Sequence, residues 1–309
     1  MSAPSAPGFP AHLAARCLVL DAAMGTTLAV RGAKLLPPLW SAAALETHPG
    51  LVRQIHEENV AAGADILTAN TFRTHARNGL GERAASATAL AVRLAREAAR
   101  GVPRAVWVAG SLSPLEDCYS PGLVPGDADL EREHGRQAET LAEAGCDLVL
   151  AETLNSLREA RAALRAAAAT GLPVLVSLVS DGRGRLLSGE PLAAVAAVLL
   201  DERIPPVALG LNCVPARRLF TDLEVLARAA PGVPLLASGN TGRARDEARG
   251  LFEEPIEPAA YAREAAQWIR LGARIVGGCC GTSAPHVAAL ASLLTGSSRE
   301  SSSGEGSCP

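Results

Sequence analysis

Three cysteines carry the chemistry that this sequence offers. Cys279 and Cys280 are adjacent in Gly277-Gly278-Cys279-Cys280-Gly281-Thr282, and Cys213 closes Gly210-Leu211-Asn212-Cys213. A vicinal pair cannot readily form an unstrained disulfide, yet two neighbouring thiolates and one distant thiolate make three corners of a zinc tetrahedron. The fourth corner stays open. An open zinc with three thiolate ligands suits a reaction in which the metal binds a substrate thiol, lowers its pKa and presents it as a nucleophile. The implied chemistry is S-alkylation. A single buried cysteine is ordinarily a small hydrophobe, so Cys213 alone would say little; glycines flanking Cys279 and Cys280 leave little side chain to pack and indicate close backbone approach.

Those residues need a scaffold that brings distant segments together. Short β-branched or Leu/Val runs recur along the chain at 17–20, 65–69, 105–109, 147–151, 174–179, 207–211, 234–237 and 274–276. Each reads as a fully buried parallel strand. Ala-rich stretches with helical periodicity follow at 49–62, 84–100, 130–144, 156–169, 192–200, 216–229, 259–271 and 284–294. Gly63, Gly145 and Gly272 sit where helix C-caps should precede strands. Eight βα units predict an α/β fold of the (β/α)8 TIM-barrel type, whose active site lies at the C-terminal strand ends. Asp21, Asn70-Thr71, Gly110-Ser111, Glu152-Thr153, Asn212-Cys213, Ser238-Gly239-Asn240 and Cys279-Cys280 all follow predicted strands. They should share one rim.

Composition narrows the partners. At 309 residues and 48% hydrophobic content the chain can bury one large core, and a net charge of −3 with scattered Lys and Arg leaves no footprint for nucleic acid or anionic lipid. No apolar run reaches the roughly 18 residues that a membrane span needs, and the N-terminus lacks a signal-peptide pattern. A cytoplasmic protein acting on small molecules is expected. Seven cysteines, an odd number without framework spacing, indicate reduced thiols rather than a disulfide scaffold. The expected barrel domain spans 12–295, between a disordered N-terminal tail at 1–11 and a polar, low-complexity C-terminal tail at 296–309. Cys308 lies in that tail and is not expected to ligate. The segment 113–127, with three prolines, reads as a long loop after strand 3 and as a candidate lid; Cys118 within it reads as an unengaged loop thiol.

The ordered set Leu20-Asp21-Ala22-Ala23-Met24-Gly25-Thr26, Leu39-Trp40-Ser41-Ala42, His48-Pro49 with Val52 to His56, Ala69-Asn70-Thr71-Phe72, Ala151-Glu152-Thr153, Gly210 to Cys213 and the GGCCGT stretch resembles the homocysteine S-methyltransferase family. This family includes betaine- and S-methylmethionine-dependent enzymes and the homocysteine module of cobalamin-dependent methionine synthase. The resemblance covers 16–294. It implies that Cys213, Cys279 and Cys280 bind Zn2+ and that the sulfur of L-homocysteine supplies the fourth ligand. It also implies that Asp21 and Glu152 hold the substrate ammonium, that backbone near Ala22, Ala23 and Thr71 meets its carboxylate, and that Asn212 belongs to the same substrate site. Charge-assisted hydrogen bonds from two carboxylates would fix the ammonium.

The chain departs from the family pattern on the donor side. Ser238-Gly239-Asn240 stands where members often carry Tyr-Pro-Asn, and Thr153 stands where betaine-using members have Tyr. Both changes remove aromatic faces that a quaternary ammonium would use. Trp40 remains as the one cation-facing ring, which favours S-methylmethionine as the methyl donor and makes methionine the product. Two rival readings stay open: a methyl-acceptor module served by a separate corrinoid protein, and a zinc-binding barrel without catalysis. The sequence also leaves a homo-oligomer open.

Overall fold

The computed structural model describes residues 8–246 and 251–302, with the side chains of 8–243 and 251–295 defined. Eight strands run parallel in one closed sheet: β1 Leu18–Val19, β2 Ile66–Ala69, β3 Trp107–Leu112, β4 Leu148–Leu154, β5 Val174–Leu178, β6 Ala208–Pro215, β7 Leu235–Asn240 and β10 Ala273–Gly278. A short antiparallel hairpin of β8 Arg243–Asp246 and β9 Leu251–Glu253 is inserted between β7 and β10. The sheet order is β1-β10-β7-β6-β5-β4-β3-β2, and the ring closes where Leu20 bridges Ile66 and Asp21 N–H donates to the Ile66 carbonyl at 3.0 Å. The (β/α)8 barrel expected from the eight repeats is the fold.

Helices α4 Pro49–Ala61, α5 Ala84–Ala99, α6 Asp127–Glu143, α7 Leu157–Ala169, α8 Leu192–Leu200, α9 Ala216–Ala229, α10 Pro258–Arg270 and α11 Ala284–Ser302 form the outer ring, while the shorter α2 Met24–Val30 and α3 Ala43–Thr47 lie between β1 and α4. Period-two alternation along the strands decides what faces where. In β4, Val149 and Ala151 pack outward against the helices, whereas Leu148 and Leu150 point into the barrel. The interior is filled at its N-terminal end by Leu18, Ile66, Leu148, Leu175, Leu236 and Ile275. Two to four residues further along these strands the same inward register changes character, to Thr68, Ser111, Glu152, Ser177, Asn212 and Ser238. That polar layer is the floor of the site.

One boundary differs from the sequence expectation. The segment 1–11, expected to be a disordered tail, contributes Phe9–Ala15 as helix α1. Pro10 near its start suits the first helical turn, where the missing N–H costs nothing. Phe9 and Leu13, spaced i,i+4, are buried across the bottom of the barrel, with Phe9 edge-on to Trp107 at 5.6 Å between ring centroids. The helix is a plug that excludes water from the interior opposite the site. At the other end α11 continues to Ser302, into the stretch expected to be tail from 296; residues 303–309, with Cys308, lie outside the described residues, as do 1–7. Among the described residues no helix is long and apolar enough to cross a membrane.

Candidate active site

At the C-terminal strand ends a cavity of about 470 Å³ opens among the residues that follow β1, β2, β3, β4, β6, β7 and β10. Its deep wall holds the three thiols. Cys213 Sγ lies 3.1 Å from Cys279 Sγ and 3.8 Å from Cys280 Sγ, and the three sulfurs all fall within 4.8 Å of one another. All three are free thiols. Zinc–sulfur bonds of about 2.3 Å in a tetrahedron set sulfurs roughly 3.8 Å apart, so this donor set fits zinc with a small opening of the Cys213–Cys279 pair. The set is also of the right kind: three soft ligands and a fourth direction facing the cavity.

Local structure explains why the thiols meet. Cys213 adopts φ 58°, a left-handed conformation that costs a non-glycine residue about 1–3 kcal/mol. It turns the side chain off the regular run of β6 toward β10. Thr153, beside Glu152, has φ 61° for a similar reversal at the end of β4. The Cys279-Cys280 turn is held from four sides. Cys279 N–H donates to the Gly239 carbonyl at 2.9 Å, Thr241 N–H to the Cys280 carbonyl at 3.1 Å, Gly281 N–H to Thr26 Oγ1 at 3.0 Å, and Thr282 Oγ1 to the Cys279 carbonyl at 2.7 Å. Gly278 is required here, because a Cβ would come within 2.2 Å of Thr282 Oγ1. Buried Tyr261 ties β7 to β10 by donating to the Gly239 and Gly277 carbonyls, each at 2.7 Å. Hydrogen bonds from Cys213 and Cys280 hold the Cys279 thiol well below the usual range, while the same contacts and burial raise that of Cys213.

Two carboxylates face the same space. Asp21 accepts from Thr68 N–H at 2.8 Å and Thr68 Oγ1 at 2.9 Å, yet burial still pushes its pKa up to about 7. Glu152 accepts from Ser111 Oγ at 2.5 Å and from Asn212 Nδ2 at 3.4 Å. Its pKa rises to about 8, chiefly from burial, with the charges of Cys279 and Asp21 adding. His56, fully buried behind Asp21 at 4.0 Å, supplies no charge to offset this, since burial lowers its own pKa to about 4. Among the described residues neither acid pairs with a Lys or Arg, so the space between them suits a cationic group.

The structure brings Asp21, Ala22, Ala23, Trp40, Glu152, Cys213, Cys279 and Cys280 around this one cavity. Thr71 and Asn212, also expected at the site, do not line the cavity themselves but stand directly behind its lining residues. Thr71 is fully buried, its N–H given to the Ala69 carbonyl at 2.6 Å and its hydroxyl to the Ser111 carbonyl at 2.9 Å. Asn212 is anchored by Thr153 and Ser177, its Oδ1 accepting from Thr153 N–H at 3.0 Å and Ser177 Oγ at 2.9 Å and its Nδ2 donating to Thr153 Oγ1 at 2.8 Å, while Nδ2 also reaches Glu152 Oε2 at 3.4 Å and Cys279 Sγ at 4.0 Å. Both residues stand behind the wall and brace it. Ser111, placed on the rim by the sequence, lines the cavity as expected; sequence reasoning missed Thr68, which counting inward positions up β2 would have found. It also missed Phe72, Arg73 and Tyr119, which line the outer part of the cavity with Trp40. Cys118, expected to be unengaged, is buried in that loop wall. The cavity therefore carries more aromatic surface than the changes at Thr153 and Ser238 imply.

Fold and site define a thiol-handling (β/α)8 enzyme. The sequence profile of the homocysteine S-methyltransferase family matches residues 18–294, and the chain belongs to that family. It is 31% identical over 299 residues to the homocysteine S-methyltransferase YbgG of Bacillus subtilis, covering 89% of this chain and 93% of the relative. The homocysteine S-methyltransferase of Escherichia coli is 32% identical over 294 residues, covering 88% and 94%. Among solved structures, the metallated form of the Escherichia coli homocysteine methyltransferase MmuM superposes with a TM-score of 0.77 at 29% identity, over 90% of this chain and 96% of that one.

Proposed function

We propose that the chain is a zinc-dependent methyltransferase that moves a methyl group from S-methylmethionine to the thiol of L-homocysteine, giving two molecules of methionine. The observation that carries this reading is the pairing, in one cavity, of three converging thiols with two carboxylates that lack a cation. Cys213, Cys279 and Cys280 would hold the metal, which when bound lowers the pKa of the acceptor thiol and favours the thiolate. The acceptor ammonium supplies the positive charge that Asp21 and Glu152 lack. As it seats, both acids ionise and the sulfur is oriented by charge-assisted hydrogen bonds. Main chain at Ala22 and Ala23, where α2 begins, would meet the acceptor carboxylate, the Ala23 N–H giving up its 3.3 Å contact with Thr282 Oγ1 to do so. Asn212, Ser111 and Thr68 keep the acids in place.

The reaction then requires an in-line approach of sulfur to the methyl carbon, with the donor sulfur leaving on the far side. A sulfonium donor leaves as a neutral thioether, so no general acid is needed, and catalysis rests on thiolate formation and alignment. Trp40, Phe72 and Tyr119 offer ring faces to a sulfonium. The test is a competition between S-methylmethionine and betaine at equal concentration with L-homocysteine, following methionine by mass spectrometry. S-methylmethionine should win by about tenfold or more, since an aromatic cage for a quaternary ammonium is incomplete at Thr153 and Ser238; betaine winning by that margin reverses the donor assignment.

A further inference from the structure

Of the Asp, Glu, Lys and Arg side chains described on the cavity wall, all are acidic except one. Asp21, Glu152, Glu116 and Asp117 line it, and Arg73 is the sole Lys or Arg among the described lining residues. Arg73 sits just past the end of β2, at the outer part of the cavity beside the 113–127 loop. Its guanidinium is fixed in two ways: Nη1 donates to the Glu116 carbonyl at 3.1 Å, and Cζ lies 5.2 Å from the centroid of the Phe72 ring. Neither contact neutralises its charge. The nearby carboxylates are committed elsewhere, Glu116 to Arg77 at 2.8 Å and Asp117 to Ser120 Oγ at 2.5 Å and Tyr119 N–H at 3.3 Å. A guanidinium presents five donors in a fork that fits a carboxylate, and here one is used.

We infer that Arg73 is the specificity-determining residue of the donor subsite and binds the carboxylate of the methyl donor. The inference rests on the proposed methyl transfer and goes further, because it selects donors that carry a carboxylate over simple sulfonium compounds. The acceptor carboxylate is the competing occupant. Acceptor recognition is organised at the deep polar layer, where Asp21 and Glu152 are held by Thr68 and Ser111 on β2 and β3. Arg73 is instead tied to Glu116 of the loop, on the side occupied by Phe72 and Tyr119. A donor with its sulfonium against those rings would reach the guanidinium with its carboxylate and leave its methyl group directed to the thiols.

The test compares wild type, Arg73→Met and Arg73→Lys with S-methylmethionine and with its carboxamide, at saturating L-homocysteine. Wild type should use the carboxamide with a KM at least about tenfold higher, the scale of a lost charge-assisted pair. Arg73→Met should raise KM for the acid by a similar factor and change the carboxamide little, with Arg73→Lys intermediate and KM for homocysteine moved less than about threefold. Equal use of acid and carboxamide by wild type overturns the inference, as does a larger effect on homocysteine than on the donor. If S-methylmethionine fails as a donor but betaine works, the donor assignment falls, and the Arg73 subsite stands only if Arg73→Met raises KM for betaine. An enzyme that accepts methyl groups only from a corrinoid protein overturns both.

Discussion

The two halves of the cavity are built on different principles. The acceptor half stands on strand ends: Asp21 after β1, Glu152 in β4, Cys213 in β6 and Cys279-Cys280 after β10. Both acids there are held by a hydrogen bond from a neighbouring strand, Asp21 by Thr68 and Glu152 by Ser111. The donor half is carried by connections, with Trp40 before α3, Phe72 and Arg73 past β2, and Tyr119 from the 113–127 loop. Tyr119 is 40% exposed, whereas the acids and thiols are recessed. Under the proposed function, the thiol chemistry rests on the rigid sheet and the choice of donor on loops. Substitutions on the sheet side should therefore abolish chemistry or metal binding, and substitutions on the loop side should rescale donor use.

The largest effect should come from the thiols. Cys213→Ala, Cys279→Ala and Cys280→Ala should each lose stoichiometric zinc by metal analysis and fall to background turnover, because a structural or catalytic zinc site tolerates few missing thiolates. Cys17→Ala and Cys308→Ala should keep both. Full zinc retention in any of the first three would remove that residue from the ligand set and break the division between the two halves.

The next effect separates orientation from metal binding within the acceptor half. Glu152→Gln should keep its zinc yet lose about 1.5–3 kcal/mol of ammonium binding, hence roughly tenfold to a hundredfold in kcat/KM for homocysteine. A simple thiol without an amino group should be far less affected. Stability gives an independent readout. The ordinary pKa values of Asp21 and Glu152 are 3.8 and 4.5, and in the substrate-free fold they rise to about 7 and about 8. The native state thus holds more protons than the unfolded chain across that window, so stability falls as pH rises from 4 to 8. Glu152→Gln should flatten the upper part of this decline in thermal melts of reduced, chelator-treated protein. A pH profile unchanged by the substitution would show that Glu152 is not the group titrating there.

How much of this was legible follows the same division. The eight strands could be placed because each is a short Leu/Val-rich run bounded by turn residues, and the thiols and acids follow from where those runs end. Ser111 was placed on the rim because it follows the third run, and Thr68 was within reach, lying two residues beyond the inward-facing Ile66. Phe72, Arg73 and Tyr119 were not, because no periodicity governs where a loop side chain points. The helix at Phe9–Ala15 was obscured by a Pro- and Ala-rich context that resembles disorder, although its Phe9 and Leu13 spacing marks one buried face. Thr71 and Asn212 follow strands as the site residues do, yet their side chains are spent on neighbouring strands. Position alone could not separate a wall from its brace.

The smallest expected effect tests whether the donor half depends on how the Trp40 ring is seated. Gly25 lies in the first turn of α2, and a Cβ there would come 2.3 Å from Trp40 Cη2, 2.6 Å from Cζ2 and 2.7 Å from Cζ3. Those separations cannot be occupied, so in Gly25→Ala the ring or the helix must move. Trp40 itself has φ 42°, which limits how far its backbone can follow. Alanine in place of glycine within a helix would by itself add about 1 kcal/mol of stability, and overpacking against a ring costs about 1–3 kcal/mol. The melting temperature should therefore stay level or fall rather than rise. If Trp40 forms the donor wall, its displacement should raise KM for S-methylmethionine by several fold while zinc content and KM for homocysteine remain those of wild type. A higher melting temperature with donor kinetics unchanged would mean that the ring shifts freely and that its seat on Gly25 plays no part in donor recognition. An equal rise in both KM values would mean that the two halves are coupled through α2, and the division between sheet and loops would have to be redrawn there.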